Sequence, residues 1–262
     1  MGSKPADDDI GSLATASFPL LVYDHGEQPD NSEIMFSVAD GSSRTYQVPE
    51  MRNHNRCLET PRGWVLTVHT ASLQCSLWNP QTGEKIALPA MDKALPEHCR
   101  CLLSDTVSSP DCLVLVYDMT EPNLLFCQVR AGVAWTSQSY DIGLYELPAS
   151  HPDSHLPPRT KAAIGSMAGA RGKFYFLDPT CTDVVGVLSF ARDPEPHMEL
   201  DTFDAPLPMF DSDASQVVTM SFLLESSRDL FLVNLFFLGC GFELVEEVGA
   251  YRWTSPSGNG AR

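Results

Sequence analysis

His98-Cys99-Arg100-Cys101, with Cys112 and Cys127 downstream, is the one stretch of this sequence whose clustered residue types could ligate a metal. A structural zinc site usually sets two cysteines about two to four residues apart and answers them with a second such pair. Cys99 and Cys101 are too close for that spacing. Along a strand they would share a face, with Arg100 on the other. The cysteines are therefore expected to pack as small hydrophobes. Asp211 and Asp213, within Phe210-Asp211-Ser212-Asp213, could offer carboxylates to a cation, but the remaining ligands of a calcium loop do not follow. An acidic turn on an acidic chain is the commoner meaning. Gly165-Ser166-Met167-Ala168-Gly169-Ala170-Arg171-Gly172-Lys173 looks like a phosphate loop only superficially. Met167 stands where that pattern needs glycine, and Phe174 where it needs serine or threonine. The expectation there is a flexible turn between strands.

The seven histidines (His25, His54, His69, His98, His151, His155 and His197) fall mostly in predicted loops, and none sits in a nucleophile–base signature. No metalloprotease, serine-hydrolase or dinucleotide fingerprint is present. Trp64, Trp78, Trp135 and Trp253 are expected in the core rather than as stacking platforms for a ligand. The sequence thus assigns no catalytic, cofactor-binding or metal-binding residue, and no cofactor.

The charge narrows the partners. Seventeen basic residues against 34 acidic ones leave a formal net charge of −17. Phosphate contacts would be repulsive, which argues against nucleic acid and anionic membrane. A protein with a basic surface is the natural complement. The start of the chain, Met1 to Asp9, ends in Asp7-Asp8-Asp9, the wrong sign for a signal peptide. The most apolar run, Leu230 to Leu238, is a strand or strand pair and too short to span a bilayer as a helix. No Asn-x-Ser/Thr acceptor occurs, and eight cysteines are not needed as staples at this size. A cytoplasmic or nuclear location is the expectation, with the oligomeric state left open.

The elements that must position these residues read as short strands. The clearest unit runs from Arg62 to Pro89. Gly63 admits the chain to a strand in which Trp64, Leu66 and Val68 alternate. Leu77-Trp78 ends a second strand. Asn79-Pro80-Gln81-Thr82-Gly83 supplies turn chemistry, and Ile86, Leu88 and Pro89 close a third strand. A strand–strand–hairpin–strand unit of this kind is what a propeller blade looks like. Similar groups recur at Phe18–Pro49, Arg100–Ser137, Ala163–Phe203 and Val217–Phe237, at the repeat length of propeller blades. Glu146 to Lys161, rich in proline, reads as a flexible surface connection. A β-sandwich is the second choice. Trp64, Leu66, Leu77, Leu113, Leu115, Phe174, Phe176, Val185, Val187, Phe222 and Leu232 are expected in the core.

Residues 62–89, preceded by Met35-Phe36-Ser37-Val38, Asp40-Gly41, Thr45-Tyr46-Gln47-Val48-Pro49 and Arg56-Cys57, resemble the plant KIB-type β-propeller family, also called domain of unknown function 295. The resemblance is strong over residues 18–92 and weaker, in register, to about residue 234. It implies a propeller often attached to an F-box, and no known chemistry. Some relatives recognise substrates for ubiquitin ligases, and some repress a kinase of the glycogen synthase kinase class. Two departures are expected: no F-box pattern in residues 1–17, and a truncated or rewritten last blade, with only a faint trace from Phe242 to Trp253.

The resulting expectation is an all-β chain, a propeller-like array of four-stranded blades numbering about five, or an incomplete six. Residues 1–17 form a disordered polar leader, 18–253 the propeller, and 254–262 a disordered polar tail. The function expected is a non-catalytic protein-interaction module, related to the substrate- or kinase-binding domains of F-box adaptors but lacking the F-box. The alternatives are a propeller hydrolase or lactonase with a central cation site, or a degenerate copy without function.

Overall fold

Runs such as Leu113-Val114-Leu115-Val116-Tyr117 are rich in β-branched and aromatic side chains, and no helical spacing competes with them. They form strands throughout. The computed structural model describes residues 13, 16, 19–23, 32–51, 54–145, 159–160, 163–178, 184–191, 197–204, 217–238 and 244–253. Within these the chain is all-β. The strands are β1 (Leu20–Tyr23), β2 (Ser32–Ser37), β3 (Ser42–Gln47), β4 (Asn55–Glu59), β5 (Val65–His69), β6 (Cys75–Trp78) and β7 (Lys85–Leu88). They continue as β8 (Cys99–Leu103), β9 (Leu113–Asp118), β10 (Asn123–Gln128), β11 (Thr136–Ser139), β12 (Leu144–Tyr145), β13 (Arg159–Thr160) and β14 (Met167–Ala170). The last six are β15 (Lys173–Leu177), β16 (Val184–Ala191), β17 (His197–Asp204), β18 (Val217–Ser226), β19 (Asp229–Leu238) and β20 (Val245–Trp253). A 3-10 turn spans Pro49–Met51.

Five sheets are antiparallel meanders of three or four strands, each strand pairing with its neighbour in sequence. This is the blade pattern of a β-propeller. The small β12–β13 pair is extra and was not anticipated. It reaches into the expected connection from Glu146 to Lys161, most of which lies outside the described residues.

The chain divides into two compact units, Met1–Ala94 and Leu95–Arg262. The first holds sheets β1–β2–β3 and β4–β5–β6–β7. Its hairpin between β6 and β7 forms as the sequence predicts. Asn79 Oδ1 accepts the Gln81 and Thr82 backbone N–H groups at 2.9 and 3.1 Å, and Gly83 takes φ 72°. Trp64 is buried but precedes its strand by one residue, after Gly63 at φ 73°. β4 was missed as a strand of this sheet. Met35, Tyr46, Val48 and Trp78 form a core cluster, and Leu13 and Ala16, from the segment expected as leader, pack against it.

The second unit holds the remaining sheets. Its main core joins Leu115, Tyr117, Leu124 and Phe126 to Phe174, Phe176 and Leu188. A smaller cluster unites Ala168 with Leu223, Leu230 and Leu232. Nine of the eleven expected core residues are buried. Leu113 is half-buried because it opens β9 at the rim of its cluster. Phe222 is half-buried because it shares a face of β18 with Met220 and Leu224, which are 39% and 52% exposed.

Two expectations need correction. Gly165–Lys173 is not a turn throughout: Met167–Ala170 is strand β14, buried at every position, and only Arg171 and Gly172 turn. The small side chains are what permit it. A Cβ on Gly169 would collide with the Leu103 carbonyl oxygen of β8. The trace from Phe242 to Trp253 contains a full strand, β20, paired with β19 from Leu230–Trp253 to Phe237–Val245. The last sheet therefore has three strands rather than a remnant.

Candidate functional site

In the second unit, three connections leave the first strand of successive sheets. They are Ser104 to Cys112 after β8, Arg171-Gly172 after β14, and Ser227-Arg228 after β18. The latter two are two-residue hairpin turns with φ positive at both positions: 54° and 79° at Arg171 and Gly172, 53° and 69° at Ser227 and Arg228. Turns of this type match the strand twist but favour asparagine and glycine. Here arginine occupies one position in each.

Those arginines meet. Arg171 donates from Nε to the Arg228 carbonyl at 2.9 Å and from Nη2 to Asp229 Oδ1 at 2.7 Å. Arg252 of β20 reaches the other oxygen, Asp229 Oδ2, at 2.6 Å. Arg228 lies 3.8 Å from Asp105 Oδ2, while its backbone N–H donates to Glu225 Oε1 at 2.7 Å. The Gly172 N–H donates to the Ser104 carbonyl at 2.9 Å. Three guanidiniums and three carboxylates thus tie three connections into one surface. The carboxylates are the more buried members: Asp105 and Asp229 side chains are 14% and 20% exposed, the arginines 58 to 69%.

The first unit holds a second candidate, a polar groove of about 410 Å³ lined by Glu50, His54, Asn55, Thr67, His69 and Lys85, among others. Lys85 pairs with Glu50 at 2.6 Å. The His54 and His69 rings lie 5.1 Å apart. His69 Nδ1 accepts the Ser72 backbone N–H at 3.1 Å, and Thr67 Oγ1 is 2.9 Å from Ser76 Oγ. These bonds hold the imidazole and the hydroxyl in structural contacts rather than against each other. Nearby Cys57 donates to the Glu50 carbonyl at 3.4 Å, and burial, reinforced by Glu50 and Glu33, pushes its thiol up to about 11. It is a neutral thiol at physiological pH, the opposite of an activated nucleophile.

The residues singled out from sequence are scattered. His98 is exposed, Cys99 half-buried and Cys101 buried. Cys112 and Cys127 are buried thiols donating to the Asp105 and Gln128 carbonyls. Among the described residues no three His, Cys, Asp or Glu side chains are grouped to hold a metal ion. Trp64, Trp78 and Trp135 are buried, and Trp253 packs on the smaller cluster. Asp211 and Asp213 lie outside the described residues. No helix among those residues is long and apolar enough to cross a membrane.

The arginine–carboxylate island escaped the reading of the sequence. Arg-Gly and Ser-Arg between apolar runs are readable as turn dipeptides, but their convergence is a tertiary fact.

No curated protein sequence matches the chain. Among solved structures, a streptogramin B lyase aligns at TM-score 0.36 and 11% identity, over 86% of this chain and 63% of that one. A nidogen/laminin complex gives TM-score 0.37 and 9% identity, over 78% and 66%. The dihydro-heme d1 dehydrogenase NirN gives 0.36 and 10%, over 88% and 52%. The chain thus spans about half to two thirds of the length of these structures. Likeness at that level says nothing of activity. A family model does match, the KIB1-4 beta-propeller, over residues 35–255. With its meander sheets and the match across most of its length, the chain belongs to the KIB1-4 β-propeller family.

Proposed function

We propose that this chain is a non-catalytic protein-binding module whose partner presents a basic surface. The observation that carries the protein-binding part of the reading is the locked set of connections. Asp105, Arg171, Arg228 and Asp229 come from three successive sheets and form one surface through direct contacts. Turns held this way expose side chains for recognition while the strands behind them keep the frame rigid. The net charge of −17 supports a basic partner, because complementary charge steers encounter and suppresses wrong partners. The recognition roles implied by the family resemblance point the same way.

The reading is tested by calorimetry with a lysine-rich peptide and its glutamate-substituted counterpart. The lysine peptide binds and weakens markedly between roughly 0.05 and 0.3 M salt, as exposed charge pairs are screened. Equal binding of the two peptides, or binding indifferent to salt, overturns it.

A further inference from the structure

We propose that the island of Arg171, Arg228 and Arg252 reads a phosphate monoester on a basic segment of the partner. The inference rests on the protein-binding reading above and adds the chemical group recognised.

Three of the 17 basic residues of an acidic chain gather in one place. Asp229 spends both oxygens on Arg171 and Arg252, which fixes those two guanidiniums side by side. Arg171 is further fixed by its Nε bond to the Arg228 carbonyl. Each guanidinium carries five N–H donors, and the hydrogen bonds described occupy at most two of them. The rest belong to side chains 58, 61 and 69% exposed. Arg228 is held most loosely, at 3.8 Å from Asp105. The carboxylates thus orient the donors from the more buried side and leave the outer side open to an acceptor.

A phosphate monoester suits this better than a carboxylate. It brings close to two negative charges and three acceptor oxygens, enough for several guanidiniums at once. The backbone adds an independent sign. Arg171 and Arg228 both occupy the left-handed region, at φ 54° and 69°, where a turn of this type favours asparagine or glycine. A conformational cost accepted twice, at two residues that touch, marks the side chains as selected for something other than the turn. The remaining charge decides the carrier. A chain of −17 repels free anions at long range, so the phosphate must arrive flanked by lysine or arginine.

Fluorescence anisotropy tests this with a labelled peptide carrying one phosphoserine between pairs of lysines, its unphosphorylated twin, and inorganic phosphate as competitor. The phosphopeptide binds about tenfold tighter or more than its twin. Inorganic phosphate competes only weakly. Arg228→Gly, which relieves the turn, and Arg252→Gln both abolish the preference, while Arg228→Gly melts no lower than the parent. Equal, salt-sensitive binding of the two peptides overturns the phosphate reading and leaves the basic-partner reading standing. Binding of neither overturns both. A preference that survives both arginine variants moves the phosphate elsewhere and overturns the assignment.

Discussion

The Ile164 backbone N–H donates to the Tyr140 hydroxyl at 2.8 Å, and both residues are buried, at 0% and 6% exposure. The bond joins positions 24 apart in sequence. It seats the chain arriving at β14 on the same core as β9 and β10. Burial raises the Tyr140 pKa, against the lowering effect of the Ile164 N–H, with Asp118 and Tyr117 adding to the rise. The hydroxyl therefore stays protonated as a structural acceptor. Tyr140→Phe keeps the ring and strands a buried donor, at a cost of about 1–3 kcal/mol. Chemical denaturation should show that loss with an unchanged denaturant slope; a change within error of zero would mean that Ile164 finds another acceptor.

Gly169 is expected to be the least tolerant position of β14. Its missing Cβ is what lets β14 approach the Leu103 carbonyl of β8, and backbone cannot yield as a flexible side chain can. Gly169→Ala should destabilise by about 1–3 kcal/mol or more. Gly165→Ala, with open space around it, should be nearly neutral. Thermal melts of the two variants check the contrast, and equal melting temperatures would contradict the packing described.

Asp118 gives an acid-side prediction. Burial pushes its carboxyl up, but hydrogen bonds to Oδ1 from the Thr120 N–H at 2.8 Å, the Thr120 hydroxyl at 2.7 Å and the Glu121 N–H at 3.2 Å outweigh it, helped by His98. The net shift is downward from 3.8. A depressed carboxyl stabilises the fold fully above its unfolded value and loses that contribution as pH falls through the folded one. Asp118→Ala should cost about 1 kcal/mol at neutral pH. The gap to the parent should close in acid, below 3.8. A gap independent of pH would show that packing, not the charged acceptor, carries the effect.

Cys57 tests the electrostatics of the polar groove. With its thiol raised from 9.0 to about 11, it carries about a hundredfold less thiolate than an ordinary cysteine at mildly alkaline pH. Mass spectrometry after brief iodoacetamide treatment at about pH 8 should find Cys57 alkylated far more slowly in the native chain than in denaturant. Equal rates would remove the burial on which the shift depends.

Much of the fold was legible because its cues are local. Asn79 caps its own turn through a side-chain oxygen, and Gly83 supplies the positive φ, so that hairpin needs no distant partner to define it. Leu113 to Tyr117 and Phe174 to Leu177 announce themselves by composition. Met167-Ala168-Gly169-Ala170 does not: nothing in four small or flexible residues distinguishes strand from turn, and only the close approach to Leu103 settles it. Val245-Glu246-Glu247-Val248 is likewise too polar to read as a strand until β19 supplies its partner.

The sequence by itself determined the class of the molecule: all-β blades, an acidic envelope, and family membership, each written in the order of local motifs and the sum of charges. Only the tertiary structure decided which charges act together. Arg171, Arg228 and Arg252 lie on separate strands and turns; Asp229 joins Arg171, 58 positions away, to Arg252 by side-chain contacts, and Arg171 bonds to the Arg228 carbonyl. Such proximity is set by how sheets stack, and stacking leaves no periodic trace in the chain.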